Sequence, residues 1–183
     1  MMIEVPSAPI TRGPAPAAAS AVAAPCLSTG AVQTTQGQPT REEREFGRML
    51  EQDPGQQRER IVYNPILARV ARQRAQDLAA RNYFSHTDPD GLGANTHVTR
   101  AGYRLPDSYD RSPAGNNIES IGGGYQSAWE AWQGLINSKH HRTHLLGLEA
   151  FYREQSEYGV GYARAADSEF EHYWVVLIAK PAC

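Results

Sequence analysis

The chain has 183 residues, of which 40% are hydrophobic and 21% are charged, and this is enough for one domain with a hydrophobic core plus a tail. Its 18 Lys and Arg against 20 Asp and Glu give a formal net charge of −2, so it lacks the basic surface that binds nucleic acid or an anionic membrane. No segment approaches the roughly 20 apolar residues of a transmembrane helix.

Residues 1–39 are rich in Pro, Ala, Ser, Thr and Gly and poor in bulky apolar side chains. Such a segment cannot offset its ordering entropy by burial, and we expect a flexible arm that a protein partner or a neighbouring copy would order. The arm has no clear signal peptide, because the start lacks lysine and the best apolar run is confined to 17–24.

The two cysteines, Cys26 and Cys183, lie near opposite ends of the chain and do not form a metal-binding pair. A disulfide between them would tie the arm to the C-terminus and would imply an oxidising compartment. Two unrelated thiols are the alternative, and the sequence leaves both open.

Two helices are predicted in the first half of the domain. Thr40-Arg41-Glu42-Glu43 is a capping box, and the helix that it opens should end at Asp53-Pro54-Gly55. Asn64 followed by Pro65 predicts the start of the second helix. That helix carries an apolar stripe of Leu67, Val70, Ala71, Ala75, Leu78 and Ala79.

The run Asp88-Pro89-Asp90-Gly91 is typical of a turn. This turn should hold His86 rigidly at the rim where the preceding helix gives way to loops. His86 either complements the dipole of the preceding helix or belongs to a functional cleft. From 91 to 124 Gly, Pro and Asn recur, which predicts a long ordered loop with a brief extended piece at 116–119. Loops of this length inside a domain are commonly functional.

Ser127-Ala128-Trp129-Glu130 is a second capping box, and the helix that follows should end near Ser138. Trp129, Trp132, Leu135 and Ile136 share one face of this helix. We interpret both tryptophans as core residues, in preference to sugar or base stacking.

Residues 158–165 and 171–179 predict an antiparallel hairpin. Both faces of the second strand are apolar, because Trp174, Val176 and Ile178 point one way and Tyr173, Val175, Leu177 and Ala179 the other. A strand of this kind is covered on both sides, which predicts an α+β sandwich with helices on both faces of the sheet.

Three histidines lie in the run from His140 to His144. His140 and His144 are spaced as metal-binding pairs are on a helix, but His141 and Arg142 stand where a His-Glu-x-x-His metalloprotease has its glutamate. The sequence therefore excludes that class of protease.

Seven short motifs occur in an order that resembles a bacterial CAP domain, the superfamily of cysteine-rich secretory proteins, antigen 5 and pathogenesis-related proteins, also called the SCP domain. The resemblance covers about residues 41–181. Its motifs are Asn82-Tyr83-Phe84-Ser85-His86, Asp88-Pro89-Asp90-Gly91, Arg100-Ala101-Gly102-Tyr103, Gly115-Asn116-Asn117-Ile118, Ser138-Lys139-His140-His141-Arg142, Gly159-Val160-Gly161 and Tyr173-Trp174-Val175.

The resemblance implies a CAP domain over residues 40–183, an α-β-α sandwich with a mainly antiparallel sheet, and a secreted, periplasmic or cell-surface location. In many members a cleft of two histidines and two glutamates holds a divalent metal such as zinc. The histidine positions fall on His86 and His141, but the first glutamate position falls on Asn116.

The second glutamate position falls on Leu135, or on Glu130 if the register is shifted by one helical turn. Glu119 could replace the glutamate that is missing at Asn116. Because an asparagine amide is a weak zinc ligand and no general base, the residues predict weak or absent zinc binding. We expect His86 and His141 to line a cleft and to hydrogen-bond to Asn116 or water.

Three functions compete on this basis. The first is an extracytoplasmic, non-catalytic CAP-domain binding protein whose degenerate cleft takes a small or lipidic ligand. The second is an accessory structural subunit of a larger assembly, tethered to a protein partner by residues 1–39. The third is a metal-dependent hydrolase or peptidase that uses His86, His141 and a displaced glutamate.

Overall fold

The computed structural model describes residues 37–182. The predicted arm, except for its last three residues, and both cysteines of the proposed disulfide lie outside the described residues. The described part contains six helices and four strands: α1 (Arg41–Gln52), β1 (Val62–Tyr63), α2 (Pro65–Ala80), α3 (Ala94–Arg100), β2 (Glu119–Gly123), α4 (Ala128–Asn137), α5 (Lys139–Leu146), α6 (Ala150–Arg153), β3 (Glu157–Arg164) and β4 (His172–Ala179).

The strands form one sheet in the order β1-β3-β4-β2. β3 and β4 are the predicted antiparallel hairpin, with Glu157 opposite Ala179 and Arg164 opposite His172. β2 joins the other side of β4 antiparallel, whereas the two-residue strand β1 pairs with β3 in parallel. The predicted mainly antiparallel sheet of an α+β fold is confirmed.

β4 lies at the centre of the sandwich, and every one of its residues is buried. Tyr173, Val175, Leu177 and Ala179 pack with α2 and α3 in one hydrophobic cluster. The alternate side chains pack with α1, α4 and α5 in a second cluster, formed by Phe46, Leu50, Ile61, Ala128, Ala131, Trp132, Leu135, Leu145, Leu146, Tyr158, Val160, Trp174, Val176 and Ile178. The expected helices on both faces of the sheet are confirmed.

α2 approaches β3 so closely that only glycine fits between the two backbones. A Cβ atom on Gly159 would lie 2.1 Å from the backbone N of Ala68, and one on Gly161 would lie 2.1 Å from the carbonyl carbon of Ala71. The Gly159-Val160-Gly161 segment is therefore a packing requirement, which brings α2 against the sheet.

Three predicted helix starts are confirmed. Thr40 accepts a hydrogen bond from Glu43 N while the Glu43 carboxylate accepts one from Thr40 N, and Asn64 accepts from the first backbone amides of α2. Ser127 likewise accepts from Glu130 N, but the Glu130 carboxylate accepts from Gln126 N instead of completing the box at Ser127.

The predicted loop from 91 to 124 is wrong in two places, because α3 and β2 lie within it. The N-cap of α3 is Gly93, which makes no side-chain hydrogen bond, and the helix has only seven residues. It is held instead by burial of Ala94, Asn95 and Val98, a tertiary effect that leaves no capping signal. The extended piece begins at Glu119 and runs to Gly123, three residues later than expected.

The prediction that both tryptophans of α4 are core residues is wrong for one of them. Trp132 is 4% exposed, whereas Trp129 is 64% exposed. α4 buries Ala128, Ala131, Trp132 and Leu135, and this stripe leaves Trp129 at the edge of its face. No helix among the described residues is long and apolar enough to span a membrane.

Candidate functional site

A cavity of about 200 Å³ opens between the loop after α2, the start of β2 and helix α5. It brings together four of the five residues that the sequence singled out for a cleft, His86, Asn116, Glu119 and His141. Glu130 does not line it, because its carboxylate lies at the start of α4. The complete lining is His86, Asn116, Asn117, Ile118, Glu119, Ser120, His140, His141, His144 and Tyr152.

The carboxylate of Glu119 is bound by a buried arginine of α2. Arg74 Nε lies 3.1 Å from Glu119 Oε2, and Nη2 lies 3.4 Å from Oε1. The two side chains are 2% and 0% exposed. Glu119 is thus already paired with a cation at a buried position. The two charge-assisted hydrogen bonds fix the geometry of the pair.

Arg74 also holds the loop that carries His86. Its Nη2 donates to the carbonyl oxygens of Ser85 and His86, at 3.1 and 3.3 Å. Its Nη1 donates to Tyr83 Oη at 2.5 Å, and Tyr83 in turn donates to Asp77 Oδ2 at 2.6 Å. One guanidinium therefore fixes both the acid at the cavity wall and the backbone at its rim.

The His86 ring lies at the opening of the cavity, with a side chain that is 45% exposed, and its Nδ1 is 3.0 Å from Glu119 Oε1. The turn after it has the expected chemistry, since Asp88 Oδ1 accepts hydrogen bonds from Asp90 N and Leu92 N. Burial alone would raise the pKa of Asp88, but these bonds and one from His97 lower it. The ring contacts Glu119. α2 ends at Ala80 with Arg81 as its C-cap, so His86 lies beyond the last turn of that helix, where its dipole acts.

A hydrogen bond from His86 to Asn116 or water was expected, and the hydrogen bond that the described residues form with the ring is the one to Glu119. Asn116 Oδ1 accepts instead from the backbone N–H groups of Ile118 and Glu119, at 3.2 and 3.0 Å. This turn starts β2 and directs the Glu119 side chain towards Arg74. The amide oxygen of Asn116, the residue that the resemblance places where the family has a glutamate, is therefore occupied by the chain's own backbone.

Helix α5 supplies the remaining imidazoles. Burial, followed by the nearby His86 and His140, lowers the pKa of His141, so its ring is neutral near pH 7. His144 is buried, and its Nδ1 lies 2.7 Å from Ser120 Oγ. Burial, followed by the charge of Arg58, lowers the pKa of His144 to about 3. This neutral imidazole ties α5 to β2 and is a poor base.

The donor atoms at the cavity do not form a zinc site. Zinc needs three or four converging His, Cys or carboxylate ligands, and the described residues contain no group of three such side chains placed to hold a metal ion. Both oxygens of Glu119 contact Arg74, and one also contacts His86. The divalent metal that the resemblance implies does not fit the residues present.

The sequence interpretation missed Arg74, Ser120, Asn117 and Tyr152. Arg74 left a signal, because it lies four residues after Val70 and four before Leu78, within the apolar stripe of α2. A cation on a buried helix face requires an acid or carbonyl partner. The other three left no such signal.

Comparisons with known proteins identify relatives. The family model of the cysteine-rich secretory protein (CAP) family matches residues 41–178. An outer surface protein of Borrelia burgdorferi is similar in structure with a TM-score of 0.56 and 16% identity, over 75% of this chain and 90% of that one. No curated protein matches the sequence significantly.

An extracellular protein from Bacillus anthracis that contains an SCP domain has a TM-score of 0.58 and 20% identity. The similarity covers 76% of this chain and 40% of that longer one. At such identities the two structures support the fold alone.

Proposed function

Because this chain belongs to the cysteine-rich secretory protein (CAP) family, we propose that it is an extracytoplasmic binding protein. Its histidine-lined cavity holds a small polar ligand and carries out no reaction on it. The family name, which is that of secretory proteins, supports the location.

The observation that carries the binding proposal is the pairing of Glu119 with Arg74. Glu119 is the one acidic side chain among the described residues that line the cavity. A hydrolase of this design needs a carboxylate that can take a proton or bind a metal. Here a guanidinium and an imidazole already occupy the carboxylate, and the other polar side chains of the lining are imidazoles, amides and the hydroxyl groups of Ser120 and Tyr152.

The chemistry of the lining indicates what kind of ligand would bind. Neutral imidazoles donate and accept hydrogen bonds, and protonated ones attract anions. The volume of about 200 Å³ lies below the roughly 300 to 1,000 Å³ of typical ligand sites. Of the two ligand types that the sequence left open, this size favours a small polar molecule or anion over a lipid.

The binding proposal is tested by NMR titration of the histidine ring protons with acetate, lactate and inorganic phosphate. We expect saturable shifts at His86 and His141 with at least one probe. His86→Ala combined with His141→Ala should weaken binding about tenfold or more. Lys139→Ala, a neighbouring exposed residue outside the cavity, is the control.

Binding that the double variant leaves unchanged, or no saturable shift with any probe, would refute the assignment of the cavity. The non-catalytic part has its own test in calorimetric zinc titration. We expect weak or no binding, and tight 1:1 binding that His86→Ala abolishes would overturn it. Zinc-dependent hydrolysis of p-nitrophenyl acetate that requires His86 would also overturn the non-catalytic assignment.

A further inference from the structure

A second concave site lies between α1 and α4, on the face of the sheet that these helices cover. Its volume is about 320 Å³, at the small end of ligand sites. No residue of the histidine-lined cavity takes part in it. The groove is lined by Arg48, Met49, Gln52, Asp53, Trp129, Trp132 and Gln133.

One wall of this groove is an exposed indole. Trp132 packs against Phe46 with a ring-centroid distance of 5.5 Å, and it also lines the groove. Trp129, one turn earlier in α4, is 64% exposed. Tryptophan has the largest apolar surface of any side chain, so an indole left in water beside a groove is a feature of binding sites.

Polar side chains with unused hydrogen-bonding capacity surround the indole. Arg48, Gln52 and Gln133 form no side-chain hydrogen bond to any other described residue, and neither does the Trp129 N–H. Asp53 uses Oδ1 to accept from Gly55 N at 2.7 Å. The groove thus offers amide, guanidinium and indole donors together with amide and carboxylate acceptors around one flat apolar surface.

The charge of the lining selects a neutral ligand. Arg48 and Asp53 contribute one charge of each sign, so the groove has no field to hold a polyanion, and the net charge of −2 argues against nucleic acid. A lipid chain would leave the amides of Gln52 and Gln133 unpaired on desolvation. The ligand should therefore combine an apolar face with many hydroxyl groups.

We propose that the groove formed by Trp129, Gln52, Gln133, Arg48 and Asp53 binds a neutral carbohydrate. The C–H groups on one face of a pyranose ring carry partial positive charge, which complements the negative face of the indole. The hydroxyl groups around that ring are donors and acceptors, and the amides, carboxylate and guanidinium match them. The groove has room for part of an oligosaccharide, whose remaining residues stay in solvent.

The test uses cellotetraose, chitotetraose and maltotetraose as probes, titrated by calorimetry and by acrylamide quenching of tryptophan fluorescence. Of the three tryptophans, Trp132 and Trp174 are buried, so quenching reports mainly on Trp129. We expect saturable binding of at least one tetrasaccharide, with protection of the indole from acrylamide.

Variants assign the binding to the groove. Trp129→Ala should weaken it about tenfold or more, Trp129→Phe less because a smaller aromatic face remains, and Gln133→Ala severalfold. Leu148→Ala, which removes an exposed apolar side chain outside the groove, should have no effect. His86→Ala should also leave it unchanged, which separates this site from the cavity. The proposal is wrong if no tetrasaccharide binds at millimolar concentration, or if Trp129→Ala binds as the wild type does.

Discussion

Arg74 and Glu119 form an ion pair that is closed to solvent, with side chains 2% and 0% exposed and Nε 3.1 Å from Oε2. The pair joins the middle of α2 to the first residue of β2. It also places a fixed positive charge against the acid that would otherwise be available to a metal or a substrate. The stability of the domain and the chemistry of its cavity therefore depend on the same contact.

Removing one partner of this pair should be costly. Arg74→Met leaves the Glu119 carboxylate buried without its cation, and we expect the free energy of unfolding to fall by about 3 to 5 kcal/mol. Replacing both residues, as Arg74→Met with Glu119→Leu, should recover a large part of that loss. Urea denaturation of the two single variants and the double variant measures the coupling. A loss below about 1 kcal/mol in Arg74→Met would show that the pair contributes little.

Acid should destabilise the fold through His144. Its pKa in the folded protein, about 3, lies below the ordinary 6.5, so the unfolded chain binds one more proton across that interval. The free energy of unfolding should therefore fall as pH decreases below 6.5, with a slope approaching about 1.4 kcal/mol per pH unit. His141, whose pKa is also lowered, adds to the slope with the same sign.

Urea denaturation at half-unit steps from pH 7 to pH 5 measures this slope before most carboxylates titrate. His144→Gln should flatten it. An equal slope in wild type and His144→Gln would assign the acid sensitivity to other groups.

The two tryptophans of α4 should differ sharply in their effect on stability. Trp132→Ala removes a buried ring that packs against Phe46, and it should cost about 3 to 5 kcal/mol. Trp129→Ala removes an exposed ring and should change the free energy of unfolding by no more than about 0.5 kcal/mol. Thermal or chemical unfolding of the two variants measures this difference. A large loss of unfolding free energy in Trp129→Ala would mean that the Trp129 ring supports the fold.

Two glycines should resist substitution for different reasons and to different degrees. Gly159→Ala puts a methyl group 2.1 Å from the backbone N of Ala68, and it should cost about 3 kcal/mol or more because α2 must move off β3. Gly91 has φ of +80° with no atom within 4 Å of an added Cβ. Gly91→Ala should therefore cost only the strain of that conformation, about 1 to 2 kcal/mol. Equal losses in the two variants would contradict the close approach of α2 and β3.

Local chemistry was sufficient to predict the elements that have strong signals of their own. The capping residues Thr40 and Asn64 marked the starts of α1 and α2, and the two apolar faces of β4 required a sandwich. α3 was not predicted because it has no capping side chain. It is stabilised by burial of Ala94, Asn95 and Val98. The two-residue strand β1 is likewise defined only by its pairing with β3.

The sequence by itself determined the fold class, because helix periodicity and strand alternation are properties of neighbouring residues. The resemblance of its ordered motifs to the CAP family implied that His86, Asn116, Glu119 and His141 lie at a common cleft. Only the tertiary structure decided what these groups can do. Arg74 and Glu119 are 45 positions apart, and their pairing, like the exposure of Trp129, depends on how α2, β2 and α4 pack. Charge neutralisation and burial are properties of that packing, and local patterns do not specify them.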